Sequence, residues 1–219
     1  MSHSPDNFSE KHPKQDFQVE RIAFFSDAVF AIGLTLLIIE FRPPHVEKET
    51  TNEILWHELV KMKFQFASLI LSFVLIISYW MRHHTLFKYV HNYNKEIIIA
   101  NMSVLLPIIF FPFTTAFLYE SVGEGLENFE IPFRLFLLNN VLAGITTYYF
   151  YRMIVYKYKE LSFPMEKNTA HEFEVKLVIM SVTFLLVFGL SFVSLKVAFF
   201  GLIPLAVYNL YNKFSKKNK

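Results

Sequence analysis

An acidic residue inside an apolar stretch is the first feature of this chain that could carry chemistry. Asp27 lies within the sequence RIAFFSDAVFAIGLTLLIIEF, which begins at Arg21. A charge inside a membrane segment is energetically costly, so Asp27 indicates either a functional site or a structural anchor that pairs with another helix. Because Arg21 and Asp27 are six residues apart, they would lie on different faces of a helix, and each needs a partner elsewhere.

A stripe of branched apolar residues follows Asp27. Ile32, Leu36 and Ile39 recur at the spacing of a single helical face, with Thr35 at its edge. Asp27 would point roughly 140° away from this stripe. On spacing alone, such a stripe is typical of contact with lipid or with a protein core. Small residues in the same segment permit close approach of another helix: Ala28, Ala31 and Gly33.

His83, His84 and His91 are the other candidates for chemistry. Adjacent histidines point to different faces of a helix, so they would not bind one metal ion together. Hydrogen bonding is the favoured role, with pH sensing as the alternative. The chain has no cysteine, and no Ser-His-Asp, Gly-rich phosphate-binding or paired-carboxylate pattern is visible. We therefore predict no enzyme activity, no cofactor, no metal site and no nucleic-acid partner.

The elements that position these residues are long apolar runs. Apolar residues make up 53% of the 219 residues and charged residues only 18%, against about 25% charged in soluble domains. A helix needs about 20 apolar residues to cross a membrane. An all-α integral membrane protein with six spans is predicted, although one bent helix in place of the last two would leave five. The six segments are Ala23–Phe41, Phe64–Met81, Ile97–Tyr119, Leu135–Tyr151, Leu177–Leu195 and Val197–Asn212.

Lysine and arginine in the connecting loops predict the orientation. These residues are concentrated before the first segment, after the second, after the fourth and at the C-terminus, whereas the loop after the third segment is acidic. Both termini are therefore predicted to be cytoplasmic, which requires an even number of spans. We divide the chain into a cytoplasmic N-terminal segment at 1–20, a six-helix transmembrane domain at 21–213 and a basic tail at 214–219.

Three further patterns have local interpretations. Glu120, Glu124, Glu127 and Glu130 could concentrate cations at an outer mouth, but a solvated loop is the favoured interpretation. The segment Glu47–Lys63 reads as an amphipathic extension of the second apolar segment. Two polar pairs in the fourth segment are predicted to make hydrogen bonds between helices: Asn139-Asn140 and Thr146-Thr147.

The residues from Arg21 to Asp27 resemble a known signature. They read Arg-Ile-Ala-Phe-Phe-Ser-Asp, which is similar to the Arg-x-x-x-Phe-Ser-Asp motif of the lysosomal potassium channel family, the transmembrane protein 175 type. Similar features recur over nearly the whole chain, and a single six-helix unit resembles the prokaryotic members of the family, which assemble as tetramers. The later features of the resemblance are Ala28-Val29-Phe30-Ala31-Ile32, Thr35-Leu36-Leu37, Trp80 with His83 and His84, Asn101, Leu106-Pro107 and Pro112-Phe113.

The resemblance implies a potassium-permeable channel in a bacterial or archaeal plasma membrane. Four copies of the first helix would line one pore, with an apolar constriction that acts as a hydrophobic gate. The implied pore-lining residues are Ile32, Leu36 and Ile39, with Thr35 as the nearby hydroxyl. No Thr-Val-Gly-Tyr-Gly filter occurs in the sequence, so a filter of backbone carbonyls of that kind is excluded.

The predicted orientation brings polar groups of three segments to a similar depth. The first segment begins at the cytoplasmic side, the second ends there and the third begins there. We predict a structural network that holds the first helix in place. Its members are Arg21, Phe25, Ser26, Asp27, His83, His84 and Asn101. The alternative function is a proton or cation transporter that uses Asp27 and the nearby histidines.

Overall fold

The computed structural model describes residues 13–46, 48, 50–123, 128–208 and 210, and within these residues the fold is all-helical. A π-helical turn (Met153–Lys157) and a 3-10 turn (Lys159–Leu161) connect α5 to α6, and a second 3-10 turn (Phe199–Leu202) continues α7. The all-α prediction is confirmed. The α-helices of the described residues are α1 (Pro13–Ile39), α2 (Asn52–Lys61), α3 (Lys63–Phe87), α4 (Lys95–Gly123), α5 (Glu130–Arg152), α6 (Lys167–Ser191) and α7 (Leu195–Ala198).

Four of these helices are long and apolar enough to cross a membrane. They cover all or most of the first, second, third and fifth of the predicted segments: Phe17–Ile39, Lys63–Phe87, Lys95–Ser121 and Lys167–Ser191. Helix α5 has 23 residues, but its asparagines, threonines and Arg134 lower its mean hydropathy. The apolar helix at Leu195–Tyr208 is shorter than a span. The fourth and sixth spans therefore stay predictions.

Helix α4 is the centre of the bundle. More than half of its most apolar window is buried, against about a fifth for each of the other three candidate spans. Helices α1, α3 and α5 all pack on α4, α6 packs on α5, and α7 packs on α6. Phe30, Tyr79, Ile108 and Phe150 contribute to one apolar cluster that joins α1, α3, α4 and α5. This arrangement leaves the side of α1 that faces away from α3 and α4 exposed among the described residues.

Two loops meet at one end of the bundle. The backbone N–H groups of His91 and Asn92 donate to the Leu161 carbonyl, each at 3.1 Å, and the Phe163 N–H donates to the Tyr89 carbonyl at 2.6 Å. The N-terminal part of α1 reaches the same end, because the Tyr93 hydroxyl donates to Gln18 Oε1 at 3.0 Å. The α3–α4 loop, the α5–α6 connection and the start of α1 therefore share one side.

The structure differs from two local predictions. The predicted amphipathic extension of the second segment is a separate helix, because the chain breaks at Met62 between α2 and α3. Asn139 makes the predicted bond between helices, to the Pro107 carbonyl at 3.0 Å. The Asn140 amide and the hydroxyls of Thr146 and Thr147 instead donate to carbonyls of their own helix. Residues 1–12, Glu124, Glu127 and the tail at 214–219 lie outside the described residues.

Candidate pore helix and its polar anchor

Helix α1 has two chemically distinct faces. Ser26, Phe30, Gly33 and Leu37 recur at intervals of three and four residues and are all buried. They face α3 and α4, the two helices that pack against α1. The local sequence explains this face, since small and apolar residues alternate on it and allow both close approach and apolar contact. The buried face fixes the rotation of α1 about its own axis.

The apolar stripe lies on the opposite side of α1. Ile32 is 56% exposed and Ile39 is 67% exposed, and Leu36 is also exposed. Thr35 is exposed beside them, and its hydroxyl donates to the Ile32 carbonyl at 2.9 Å. Ala28 and Ala31 are exposed as well. The stripe is therefore not part of the subunit's own core, which was one of the two meanings that its spacing allowed.

A buried chain of hydrogen bonds connects α1 to α3 through α4. His83 Nε2 donates to Asn101 Oδ1 at 2.7 Å, and Asn101 Nδ2 donates to Ser26 Oγ at 2.9 Å. The Ser26 hydroxyl then donates to the Ile22 carbonyl at 2.9 Å. All three side chains are almost completely buried. Because unpaired polar groups are unfavourable in an apolar interior, this chain specifies how the three helices fit together.

The ring of His83 is packed between aromatic side chains. It is parallel to the ring of Phe150 within 13°, with centroids 5.6 Å apart, and it also contacts Phe30 and Phe87. Its Nδ1 atom is buried and has no hydrogen-bond partner among the described residues. With Nε2 as the donor to Asn101, Nδ1 carries the lone pair of a neutral imidazole. His83 therefore contributes one directed hydrogen bond and a packed apolar ring.

Asp27 finds its partner on α3. The indole Nε1 of Trp80 donates to Asp27 Oδ1 at 2.9 Å, and His84 stacks on the Trp80 ring with centroids 5.4 Å apart. Asp27 is half-buried and His84 is exposed. A hydrogen bond to an ionised acceptor is stronger than a neutral one. The pair thus anchors the start of α1 to the end of α3, beside the buried chain from His83 to Ser26. We call the two sets of contacts together the polar anchor.

Two members of the predicted network lie apart from these contacts. Arg21 and Phe25 are both exposed, and they line a cavity of about 400 Å³ together with Gln18, Tyr93 and other residues. Arg21 makes no ion pair or hydrogen bond with any side chain that the structure describes. The structure thus brings Ser26, Asp27, His83, His84 and Asn101 together and leaves Arg21 and Phe25 on the outer surface of α1.

Gly33 sets the distance between α1 and α4. A Cβ atom at this position would lie 3.3 Å from Ile108 Cγ2 and 3.4 Å from the Ile108 carbonyl oxygen. That carbonyl lacks its usual helical donor, because the residue four positions later is Pro112, which has no N–H. The two backbones can approach closely here only because Gly33 has no side chain. Gly33 therefore packs within the subunit, whereas Ala28 and Ala31 remain on the exposed side.

Sequence reasoning missed the aromatic part of this site. It placed Trp80 at the right depth but did not pair it with Asp27, and it did not identify Phe150 as a neighbour of His83. The spacing between Trp80 and His83 was the available signal, since residues three apart on a helix lie on neighbouring parts of one face.

The resemblance seen in the sequence is confirmed by comparison with known proteins. The family model described as "Endosomal/lysosomal potassium channel TMEM175" matches residues 21–112, which run from the signature arginine to the second proline of α4. A potassium channel of Streptomyces collinus is 35% identical over 104 residues, 48% of this chain and 49% of that protein. A potassium channel of Chamaesiphon minutus is 35% identical over 109 residues, 49% of this chain and 52% of that protein.

A more distant relative carries a different name. The endosomal/lysosomal proton channel TMEM175 of Danio rerio is 35% identical over 94 residues, 40% of this chain and 18% of that protein. The chain thus spans about half the length of the bacterial relatives it matches. The matched part in this chain includes α1 from Arg21 onward and the polar anchor, because the family match alone covers residues 21–112.

Solved structures extend the likeness to the whole fold. The crystal structure of a lysosomal potassium-selective channel TMEM175 homologue from Chamaesiphon minutus aligns with a TM-score of 0.71 and 23% identity, over 90% of this chain and 98% of that chain. A variant of the potassium channel MtTMEM175, crystallised with a nanobody fusion, aligns with a TM-score of 0.62 and 18% identity, over 99% of this chain and 100% of that chain. The chain therefore has the fold of these channels.

Proposed function

Since the chain resembles the TMEM175 family in sequence over residues 21–112 and has the fold of its bacterial homologues, we propose that it forms a potassium-permeable ion channel. In this proposal four copies assemble around an axis, and α1 of each copy lines the central pore. Ile32, Leu36 and Ile39 form an apolar constriction, and Thr35 places a hydroxyl beside it. The proposal includes no catalytic reaction and no bound cofactor, with K⁺ as the permeating ion.

The observation that carries this proposal is the exposed stripe on a helix whose other face is buried. A span with a packed face and an unpacked face must place the second against lipid, another subunit or a water-filled space. Lipid would accept any apolar residue there, whereas the hydroxyl of Thr35 and the small residues Ala28 and Ala31 suit close approach of a second copy. One helix supplies only one lining face, so a closed pore requires several copies, and cyclic symmetry is the usual solution.

The chemistry of the stripe suits a gate that works by wetting and dewetting. Isoleucine and leucine side chains offer no hydrogen bonds to water, so a narrow ring of them empties readily and blocks ions. The hydroxyl of Thr35 donates to its own helix, which leaves its oxygen lone pairs directed outward as possible ion ligands. Potassium is less strongly hydrated than sodium, so an apolar ring would disfavour sodium more.

The proposed topology has six spans per subunit with both termini in the cytoplasm, in a multi-pass protein of the plasma membrane. Helix α5 and the helix at Leu195–Tyr208 would supply the fourth and sixth spans, with α5 tolerating its polar residues because it packs between α4 and α6. The grouping of the α1 start, the α3–α4 loop and the α5–α6 connection at one end supports this orientation, since those parts are rich in lysines and arginines.

The second candidate is a proton or cation pathway through Asp27 and the histidines. The name of the zebrafish relative, a proton channel, favours keeping it. Asp27 and His84 are ionisable and not completely buried, so they could exchange protons with water at the end of the bundle. The Trp80 bond holds Asp27 away from the stripe face, however, so this pathway would run beside the pore and not through it.

Current recording from purified protein in planar bilayers tests the proposal. With potassium and sodium gradients in opposite directions, we expect the reversal potential to lie toward the potassium equilibrium potential. Leu36→Ala should raise conductance and move the reversal potential toward zero, because a wider constriction strips less water from each ion. Ile38→Ala is the matched control, since Ile38 is similarly exposed on α1 but off the stripe.

The same recordings separate the two candidates. Equal conductance and equal reversal potential of the Leu36→Ala and Ile38→Ala variants would place the pore elsewhere. A proton current that Asp27→Asn removes, with the potassium current unchanged, would establish the second pathway. If Leu36→Ala changes the proton current and the potassium current in parallel, both ions pass through one pore.

A further inference from the structure

A cavity of about 420 Å³ lies away from α1, where α5 ends and α6 begins. The π-helical turn at Met153–Lys157 contributes Ile154, Val155 and Tyr156 to its lining. The Tyr158 N–H donates to the Met153 carbonyl at 2.9 Å, five residues back. Such turns are rare and occur often at functional sites. Nothing in the proposed pore uses this cavity.

Two lysines at the cavity have no acidic partner. Lys159 and Lys167 line it and are exposed, and neither forms an ion pair with a described residue. The lining also includes one carboxylate, Glu174. Its oxygens accept hydrogen bonds from the hydroxyls of Tyr148 at 3.1 Å and Tyr156 at 3.0 Å. The Arg152 guanidinium lies 3.7 Å from it.

The consequence is a cavity with a net positive lining. Arg152 balances the negative charge of Glu174, and the two tyrosines satisfy its oxygens, so Lys159 and Lys167 are left as cations without a counter-ion. His171 also lines the cavity and offers a further hydrogen-bond donor. An anion is the ligand that this set of groups can bind.

The remaining wall is apolar. Phe163, Pro164 and Met165 line one side of the cavity, and Ile154 and Val155 line it from the π-helical turn. An inorganic anion gains no favourable contact with such an apolar wall. A molecule with a charged head and a hydrocarbon chain matches both the lysines and the wall. Exposed apolar residues beside unpaired lysines are typical of a surface that contacts lipid headgroups and the first carbons of their chains.

The cavity also lies at the depth of the headgroups. The uncharged run of α6 begins at Leu177, and Lys167, His171 and Glu174 lie within the ten residues before it, so the cavity lies on the polar side of that boundary. Tyr148, Tyr149 and Tyr156 surround the same level of the bundle, and tyrosines concentrate at membrane interfaces. In the proposed topology this end is cytoplasmic, and anionic lipids of that leaflet attract basic segments close to the membrane.

We propose that this cavity binds the headgroup of an anionic phospholipid, with the phosphate between Lys159 and Lys167 and the start of an acyl chain along Phe163 and Met165. The proposal goes beyond the channel function and rests on the proposed topology only for the choice of leaflet. It would stand if the protein conducted no ions at all.

Lipid binding to the delipidated protein in detergent micelles tests this proposal. Native mass spectrometry would count molecules of short-chain phosphatidylglycerol and of phosphatidylcholine retained at increasing lipid concentration. We expect the wild type to prefer phosphatidylglycerol. The double variant Lys159→Gln/Lys167→Gln should weaken its binding about twenty-fivefold, since each lysine near an anionic lipid contributes roughly fivefold.

A matched double variant distinguishes lipid binding in this cavity from general attraction to basic charge. Lys157→Gln/Lys176→Gln removes the same two charges from the same end of the bundle, but Lys157 lies over the Tyr158 ring and Lys176 near Glu172, both outside the cavity. We expect this control to change binding less than about threefold. His171→Trp, which fills the cavity without removing a lysine, should weaken binding as strongly as the loss of both lysines.

Three results would overturn the proposal. Equal losses in the two double variants would show attraction to basic charge in general. Equal retention of the two lipids by the wild type would remove the role of the anionic headgroup. Complete displacement of phosphatidylglycerol by excess inorganic phosphate would assign the cavity to a free anion. Circular dichroism and elution volume of each variant establish that the fold is retained.

Discussion

Asp27 is held inside the bundle by a neutral donor and not by a cation. The indole N–H of Trp80 donates to its carboxylate at 2.9 Å, while Arg21 lies exposed one and a half turns earlier on α1. A carboxylate that is half-buried and bonded to an indole keeps part of its hydration, which lessens the cost of placing it near the end of a membrane helix. The main role of the contact between Asp27 and Trp80 is therefore to anchor α1.

Replacing Trp80 tests the anchor at the scale of one bond. Trp80→Phe keeps the aromatic ring but removes the donor, so Asp27 loses a hydrogen bond to a charged group, worth about 1.5–3 kcal/mol. We expect a lower melting temperature of the assembled protein, measured by loss of the oligomer peak after heating, with the reversal potential unchanged. Trp56→Phe is the control, because Trp56 is 70% exposed on α2. A Trp80→Phe protein with wild-type stability and an altered ion preference would make Asp27 a pore residue.

The depth of the polar groups along the bundle could be predicted from the sequence, but the rotation of each helix about its own axis could not. The positive-inside pattern placed the start of the first helix, the end of the second and the start of the third at one level, and Ser26, Asp27, His83 and Asn101 do meet there. Which partner Asp27 takes depends on the rotation of α3 about its axis. That rotation is set by packing against Phe30 and Phe150, residues far apart in the sequence.

Among the helices, the contact between α1 and α4 determines where the stripe points. Gly33 lies against the Ile108 carbonyl, where Pro112 has removed the usual helical donor. A close backbone approach of this kind orients α1 with one face inward, so the face with Ile32 and Leu36 must point outward. The proline and the glycine thus act as one feature, although 79 residues separate them in the chain.

A larger residue at Gly33 should disturb this orientation. Gly33→Val places a side chain where a Cβ alone would already lie 3.3 Å from Ile108, so α1 and α4 must separate. We expect a loss of about 1–3 kcal/mol in stability together with altered conductance, because the stripe moves with α1. Gly189→Val is the control, since nothing lies within 4 Å of its Cβ position. Equal stability and equal conductance of the Gly33→Val and Gly189→Val variants would mean that the α1–α4 contact does not position the stripe.

The predictability of helices followed the length of their apolar runs. Long runs with few or no charges predicted α1, α3, α4 and α6 well, because such a run has few alternatives to a membrane helix. The break at Met62 was missed, since the apolar pattern continues from α2 into α3 without a glycine or proline. The hydroxyls of Thr146 and Thr147 bond within α5 because a threonine can always reach the carbonyl four residues earlier, whatever its neighbours are.

At the scale of the whole molecule, one chain does not suffice for the proposed channel. Its α1 has an exposed apolar face that no described residue of the chain covers, and α2 has no buried residue. Both features are expected of surfaces that other copies or the membrane cover. The structure of a single chain accounts for the polar anchor and the α1–α4 contact, while the pore itself depends on the assembly.

The number of chains in the assembly can be measured directly from its mass. In detergent micelles we expect native mass spectrometry to give four times the mass of one chain, because four copies are the number implied by the family resemblance. The Trp80→Phe and Gly33→Val variants should release smaller species at lower collision energy than their controls. A stable monomer or dimer that still conducts potassium would contradict a central pore.

The central claim, that the stripe of α1 lines the pore, is tested most directly with a single introduced thiol. The chain has no cysteine, so Leu36→Cys carries one thiol and Ile38→Cys carries one on a different face of the same helix. Silver ions, which resemble potassium in size and bind thiolates tightly, are added during recording. The account predicts irreversible loss of potassium current in the Leu36→Cys channel and unchanged current in the Ile38→Cys channel and the wild type. Loss of current at Ile38→Cys, with Leu36→Cys unaffected, would contradict it.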